Sequence, residues 1–225
     1  MADREGFEPS EPREELGGLA IHWFKPLTDT LYFLYRWVRD PFLIGAVAPS
    51  GKELSANMAA AIDPATPGAV IELGPGTGSM TRAILQHGVP PGDLYPIEKD
   101  PDLCKRLTER FPEVRVTLGD AREVGTIARD LDMGPVKAVV SGLPLIGMPY
   151  DVRLRIVEGA FEVLAPGGVF VQFTYMPVSP VHPRILDTLQ LVGRAMHKIW
   201  LNLPPATVWV YRRLPEREMP LAVPA

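Results

Sequence analysis

Thiol chemistry has almost nothing to work with in this chain: among 225 residues there is one cysteine, Cys104, set in the helical stretch DPDLCKRLTERF. A lone thiol forms neither an intramolecular disulfide nor a cysteine metal site, and a reducing cytosol fits it. Histidine is nearly as scarce, and His22, His87 and His197 show no spacing suited to a metal or to a nucleophile-base pair. No metal chemistry is expected. Excess positive charge is missing too, since 23 Lys and Arg face 27 Asp and Glu for a net charge of −4. That balance advertises no polyanionic partner, so nucleic acid is disfavoured. There is no run of about 18 apolar residues to span a bilayer. The acidic opening MADREGFEPSEPREE lacks the basic and apolar regions of a signal peptide, and a soluble or peripheral protein is expected.

What the chain does have is 46% hydrophobic residues, enough for one α/β domain with a full core. Residues 1–15 are charged, carry two prolines and read as a disordered tail. From Leu16 to Val38 large apolar and aromatic residues recur near helical spacing, with Pro26 marking a kink or a helix start. A second helix is expected over Lys52 to Ile62, with Ser50 as its N-cap. Together residues 16–63 form an N-terminal helical part.

Strand and helix patterns then alternate through residues 64–213. Strands are predicted at Ala69 to Leu73, Leu94 to Glu98, Val114 to Leu118, Ala138 to Ser141 and Val169 to Tyr175. Helices are predicted at Ser79 to His87, Asp100 to Phe111, Arg122 to Leu131, Tyr150 to Leu164 and Pro183 to Gly193. Two closing strands, Ala195 to Leu203 and Thr207 to Arg212, flank Leu203-Pro204-Pro205-Ala206, and 214–225 reads as a tail. Short apolar runs separated by helices imply a mostly parallel seven-stranded sheet covered on both faces, closed by an antiparallel edge.

The most informative run is VIELGPGTGSM, Val70 to Met80. A short strand ends near an acidic residue and breaks into alternating glycines, Gly74, Gly76 and Gly78, that let the backbone turn and approach a ligand. A dinucleotide fingerprint would place its third glycine where Ser79 stands. The spacing instead resembles motif I of class I S-adenosylmethionine-dependent methyltransferases, which implies a Rossmann-like fold and S-adenosylmethionine as cofactor. Ligands in such sheets sit beyond the carboxyl ends of the strands. Glu98 closes the second strand, where a carboxylate accepts from both ribose hydroxyls, while Asp100 is the better helix cap. Asp120 closes the third strand and reads either as acceptor for the adenine amine, with the Ala121 N–H donating to a ring nitrogen, or as a plain N-cap. Glu72 is expected to organise the glycine loop and the cofactor's ammonium end. Ser50, Thr77, Lys99 and Ser141 complete the expected cofactor contacts.

Chemistry is expected after the fourth strand, in VVSGLPLIGMP, Val139 to Pro149. Amine and adenine methyltransferases usually carry Asn/Asp-Pro-Pro-aromatic there. Here Ser141-Gly142-Leu143-Pro144 resembles the Asn-Leu-Pro-aromatic form of ribosomal RNA adenine dimethyltransferases without its amide or stacking aromatic, which makes adenine a poor acceptor. Taken together, DPFLIGAVAPS (Asp40 to Ser50), the glycine loop, SGLPL and FTYMPVSPV (Phe173 to Val181) resemble the soluble bacterial phospholipid N-methyltransferases over roughly Leu31 to Arg212. Met176 departs from the glycine of that family's FTYGP stretch. The resemblance implies a phospholipid acceptor, phosphatidylethanolamine methylated towards phosphatidylcholine, and a membrane-docking N-terminal helix. A monomer peripherally bound to the inner face of the cell membrane is expected.

The residues fit that implication. Eight aromatics precede Ile44, namely Phe7, Trp23, Phe24, Tyr32, Phe33, Tyr35, Trp37 and Phe42, with Lys25, Arg36 and Arg39 beside them. Such a segment suits a helix in the headgroup zone, or a stripe packed over the sheet, and different faces can do each. Methyl transfer to an amine needs positioning above all. Tyr32, Trp23 and Tyr175 are candidates for an aromatic wall around a cationic headgroup, with ordinary core packing as the other reading of each. The Ser141 hydroxyl is a candidate acceptor for the amine's hydrogens, and the proton leaves to water or through Tyr32. For the lipid phosphate the candidates are Ser179, His182 and above all Arg184, whose fork grips two oxygens. Arg194 and Lys198 are alternatives. Two other classes stand beside this one. An RNA adenine dimethyltransferase would need a basic face and a helical domain after the sheet, and a noncatalytic membrane module would keep only the pocket.

Overall fold

The computed structural model describes residues 49–199 and 205–215. The expected tail 1–15, the aromatic segment Leu16 to Val38 and most of the tail 214–225 lie outside the described residues. Among those described, the helices are α1 (Pro49–Ala59), α2 (Ser79–Gln86), α3 (Pro101–Arg110), α4 (Val124–Asp130), α5 (Tyr150–Val163) and α6 (Pro183–Thr188). The strands are β1 (Ala69–Leu73), β2 (Leu94–Glu98), β3 (Thr117–Leu118), β4 (Val136–Ser141), β5 (Leu164–Thr174), β6 (Leu191–Ile199) and β7 (Ala206–Arg213).

The seven strands form one sheet in the order β3-β2-β1-β4-β5-β7-β6. β1 to β5 pair in parallel, and β7 runs antiparallel to both β5 and β6, so an antiparallel pair closes that side. β1 is buried at every position. It lies inside the sheet, between β2 and β4, and apolar side chains on both pleats meet helices. On one face Val70, Leu94, Val140, Val171 and Val208 pack with Leu54, Met58, Ile84, Leu107 and Phe111 from α1, α2, α3 and the end of α3. On the other, Ile71, Leu73, Val139, Phe170 and Tyr211 pack with Val124, Ile156, Phe161 and Ile185 from α4, α5 and α6. The chain turns back between β1 and β4, which is where open sheets of this kind take their ligands.

Several element bounds differ from the sequence reading. α1 begins at Pro49, so Ser50 lies inside the first turn and is not the N-cap. Proline starts a helix readily because its missing N–H is not needed there. β3 keeps only two residues of the expected five, because the Val114 and Val116 amides are spent in turns on Phe111 O and Val114 O. α4 is preceded by a 3-10 turn over Ala121–Glu123. β5 starts early: Leu164 pairs with Val136 and Val169 with Ala138, so 165–168 bulge away from the ladder. α6 stops at Thr188 and Gln190 takes a left-handed turn (φ 53°), which lets β6 begin at Leu191, well before the expected Ala195. Gly193 then faces Tyr211 in register, and a Cβ there would fall 2.5 Å from that ring.

Candidate active site

The loop after β1 is built by its glycines. Gly74, Gly76 and Gly78 all have positive φ (68°, 55° and 82°), which side chains with a Cβ avoid. Gly78 caps α2 and leaves no room for a Cβ, which would meet Phe111 at 2.6 Å. Gly76 is different. A Cβ there would meet nothing within 4 Å, so the crest of the loop faces open space.

Two carboxylates brace the loop from opposite ends. Glu98, buried at the end of β2, accepts from the Gly76 N–H at 3.0 Å through Oε2, and from the Lys99 and Asp100 amides at 2.8 and 2.9 Å through Oε1. Glu72, buried in β1, accepts from the Thr81 hydroxyl at 2.7 Å through Oε2. Its Oε1 is buried without a hydrogen-bond partner among the described residues. Burial pushes the Glu72 carboxyl up to about 8, and the nearby Glu98 adds to the rise although the Thr81 bond opposes it. A buried acid with an unused oxygen is suited to a cationic group. The residues thus fit an S-adenosyl cofactor: the Gly76 crest is open, and two buried carboxylates, Glu98 and Glu72, are bonded to the loop and to the helix it starts.

The end of β3 carries a more occupied carboxylate. Asp120 caps the 3-10 turn through the Arg122 amide at 3.0 Å, and it binds the Arg122 guanidinium at 2.7 Å and the Lys99 ammonium at 2.8 Å. The Arg122 and Lys99 bonds hold its carboxyl well below the usual carboxylate range. Its capping role is therefore present here, and Ala121 half-buries against the second core face. Thr77 lends its carbonyl to Arg110 at 2.7 Å.

β4 ends against the glycine loop. The Gly142 N–H donates to Leu73 O at 2.9 Å, and a Cβ on Gly142 would lie 2.9 Å from Gly74 O. Ser141 is fully buried, and its Oγ accepts from the Leu143 N–H at 3.3 Å. Tyr175 follows β5, packing edge-on to Phe173 at 5.4 Å on the α1 side of the sheet. The loop after it separates the expected phosphate group. Ser179 is taken up structurally, donating to Val181 O and bonded to Tyr211 OH, each at 2.8 Å. His182 caps α6 through Nδ1 and meets Tyr150 edge-on at 5.6 Å, which joins the β4 and β5 loops. Arg184 is exposed on the first turn of α6. Trp23 and Tyr32 lie outside the described residues, as do the side chains of Ser50 and Lys198.

One polar residue escaped the sequence reading. Gln172 is 1% exposed in β5, and its Nε2 donates to Leu143 O at 2.8 Å and Phe173 O at 3.1 Å. The available signal was an amide inside the apolar run VFVQF.

Comparison with known proteins gives three findings. The chain is 31% identical over 195 residues to an ornithine lipid N-methyltransferase of Singulisphaera acidiphila, across 84% of this chain and 99% of that protein. It is 36% identical over 89 residues to a ribosomal RNA small subunit methyltransferase A of Maridesulfovibrio salexigens, across 39% of this chain and 30% of that protein. By fold it resembles Burkholderia thailandensis 1,6-didemethyltoxoflavin-N1-methyltransferase, solved with bound 1,6-didemethyltoxoflavin and S-adenosylhomocysteine, at TM-score 0.58 and 14% identity over 91% of this chain and 93% of that one. No family model matches the sequence.

Proposed function

This chain belongs to the lipid N-methyltransferases of the class I S-adenosylmethionine-dependent superfamily, and from that premise we propose that its acceptor is the amine of phosphatidylethanolamine and of its mono- and dimethyl derivatives, met at a membrane surface. The similarity to a lipid N-methyltransferase along nearly that protein's whole length is the observation that supports this reading most. The stretch shared with the ribosomal RNA enzyme spans under a third of that protein.

When bound, S-adenosylmethionine supplies a methyl group on a positively charged sulfur, already activated for displacement. The chain's task is then to hold and present. Glu98 is proposed to bind the ribose hydroxyls, Glu72 and the crest of the glycine loop the amino-acid end, and Asp120, Ala121 and Lys99 the adenine side. An ethanolamine headgroup arrives as an ammonium and must shed a proton before its nitrogen carries a lone pair. Ser141 and Tyr175 from the sheet, with Tyr32 and Trp23 from the N-terminal segment, are proposed around that nitrogen, and Arg184 at the lipid phosphate. Cationic products suit aromatic walls.

The test is incubation of the full chain with phosphatidylethanolamine vesicles or ornithine lipid vesicles and methyl-labelled S-adenosylmethionine, followed by chromatography of the lipids. Label on phosphatidylethanolamine is expected. Label on ornithine lipid alone would move the acceptor to the one in the relative's name, and no labelled lipid while cofactor binds would remove the reading.

A further inference from the structure

Leu73, Ser141, Gln172 and Trp209 stand in register across β1, β4, β5 and β7, one row at the carboxyl end of the parallel strands. In a parallel or antiparallel ladder, residues in register project to the same face, so Ser141, Gln172 and Trp209 form a polar row beside the β4 loop. Its first two members are buried, Ser141 at 0% exposed and Gln172 at 1%, and Trp209 is half-buried. A buried polar group is normally satisfied, and leaving one bare costs about 1–3 kcal/mol.

Gln172 is only half satisfied. Its two carbonyl neighbours, Leu143 O and Phe173 O, require the nitrogen of the amide on their side. The opposite oxygen, Oε1, is buried with no partner among the described residues. Next to it along the row, Ser141 Oγ uses one lone pair on the Leu143 amide, which leaves acceptor capacity free. Two uncommitted acceptors therefore lie on adjacent strands, beside the loop that abuts Gly74. Further along, the Trp209 indole N–H is also buried without a partner among the described residues.

We propose that Gln172 Oε1, together with Ser141 Oγ, accepts the N–H hydrogens of the acceptor amine and so turns its lone pair towards the methyl donor, an assignment that rests on the lipid N-methyltransferase reading above. The arithmetic of hydrogens gives it a distinctive consequence. A neutral primary amine presents two hydrogens, its monomethyl derivative one, and its dimethyl derivative none. Two acceptors match the first acceptor fully, the second in part and the third not at all. In each turn the nitrogen lone pair forms the new N–C bond as the C–S bond breaks to a thioether. One N–H proton of the ammonium formed then passes to water in each of the first two turns, and the third product, a quaternary ammonium, has none to lose.

The experiment compares phosphatidylethanolamine and its mono- and dimethyl forms as acceptors for the wild-type chain and for Q172M, each in vesicles, with S-adenosylhomocysteine affinity and melting temperature measured in parallel. Q172M is expected to lose tenfold or more in rate on the primary amine, less on the monomethyl form, and little on the dimethyl form, with cofactor affinity kept. An equal loss on all three acceptors would overturn the assignment and leave Gln172 as a brace for Leu143. Should Q172M fail to fold, S141A removes the other acceptor while keeping that brace, and the same graded loss is expected. If the wild type methylates none of the three lipids, the underlying reading fails first, which is visible before any variant is compared.

Discussion

At Glu72 one carboxylate oxygen is held by Thr81 while the other is buried with no partner among the described residues. With its folded value near 8 against an ordinary 4.5, the folded protein keeps a proton that the unfolded chain gives up as pH rises above about 4.5. Stability therefore falls with rising pH between those values, by at most about 1.4 kcal/mol per unit, and levels off above 8. Glu72→Gln keeps an acceptor for Thr81 and removes the ionisation. Thermal melts of the cofactor-free protein from pH 5 to 9 are expected to show a downward slope in the wild type and a flatter one in the variant. Cofactor affinity measured by calorimetry is expected to fall in the same variant, since an amide, unlike the carboxyl, cannot give up a proton to pair with the cofactor's ammonium. Unchanged affinity would place that end of the cofactor elsewhere.

Elements meet here through glycines whose surroundings differ. Gly142 closes the β4 end onto the glycine loop, and a methyl group would press on the backbone oxygen of Gly74 at 2.9 Å. Gly142→Ala is expected to destabilise by roughly 1–3 kcal/mol, read as a lowered melting temperature. Gly76→Ala meets open space, so its cost to folding is only the left-handed backbone, roughly 1–2 kcal/mol. Its cost to cofactor affinity should be the larger of the two, because the new methyl group occupies the access. If both substitutions acted on stability alone, the crest of the loop would not be a binding surface. At this scale the helices and strands around β1 and β2 were legible from apolar runs and glycines. The shortened β3, the early β5 and the early β6 were not, since their bounds follow from ladder partners and from a left-handed Gln190 that residue type does not announce.

For the molecule as a whole, a net charge of −4 gives no long-range pull towards an anionic surface. Contact with lipid under the proposed function therefore rests on the aromatic N-terminal segment, and chiefly on apolar burial with local help from Lys25, Arg36 and Arg39. Trp37→Ala in the full chain is expected to reduce sedimentation with phosphatidylethanolamine-containing vesicles about tenfold while S-adenosylhomocysteine affinity stays the same. Loss of both would make the segment a cover for the cofactor and not a membrane anchor. Among the described residues no helix is long and apolar enough to cross a membrane.

The residues alone determined the alternating strand and helix plan, the glycine loop and the carboxylates at Glu72 and Glu98, because periodicity, turn chemistry and an acid at a strand end are local properties. Which oxygens are spent and which are free was decided only by tertiary structure. Asp120 is occupied by Lys99 and Arg122, Ser179 is committed to Tyr211, and Gln172 faces Leu143 while its amide oxygen has no partner among the described residues. These partners come from strands and turns distant in sequence or from a side chain's own rotamer, and a hydrogen bond depends on where two atoms finally stand.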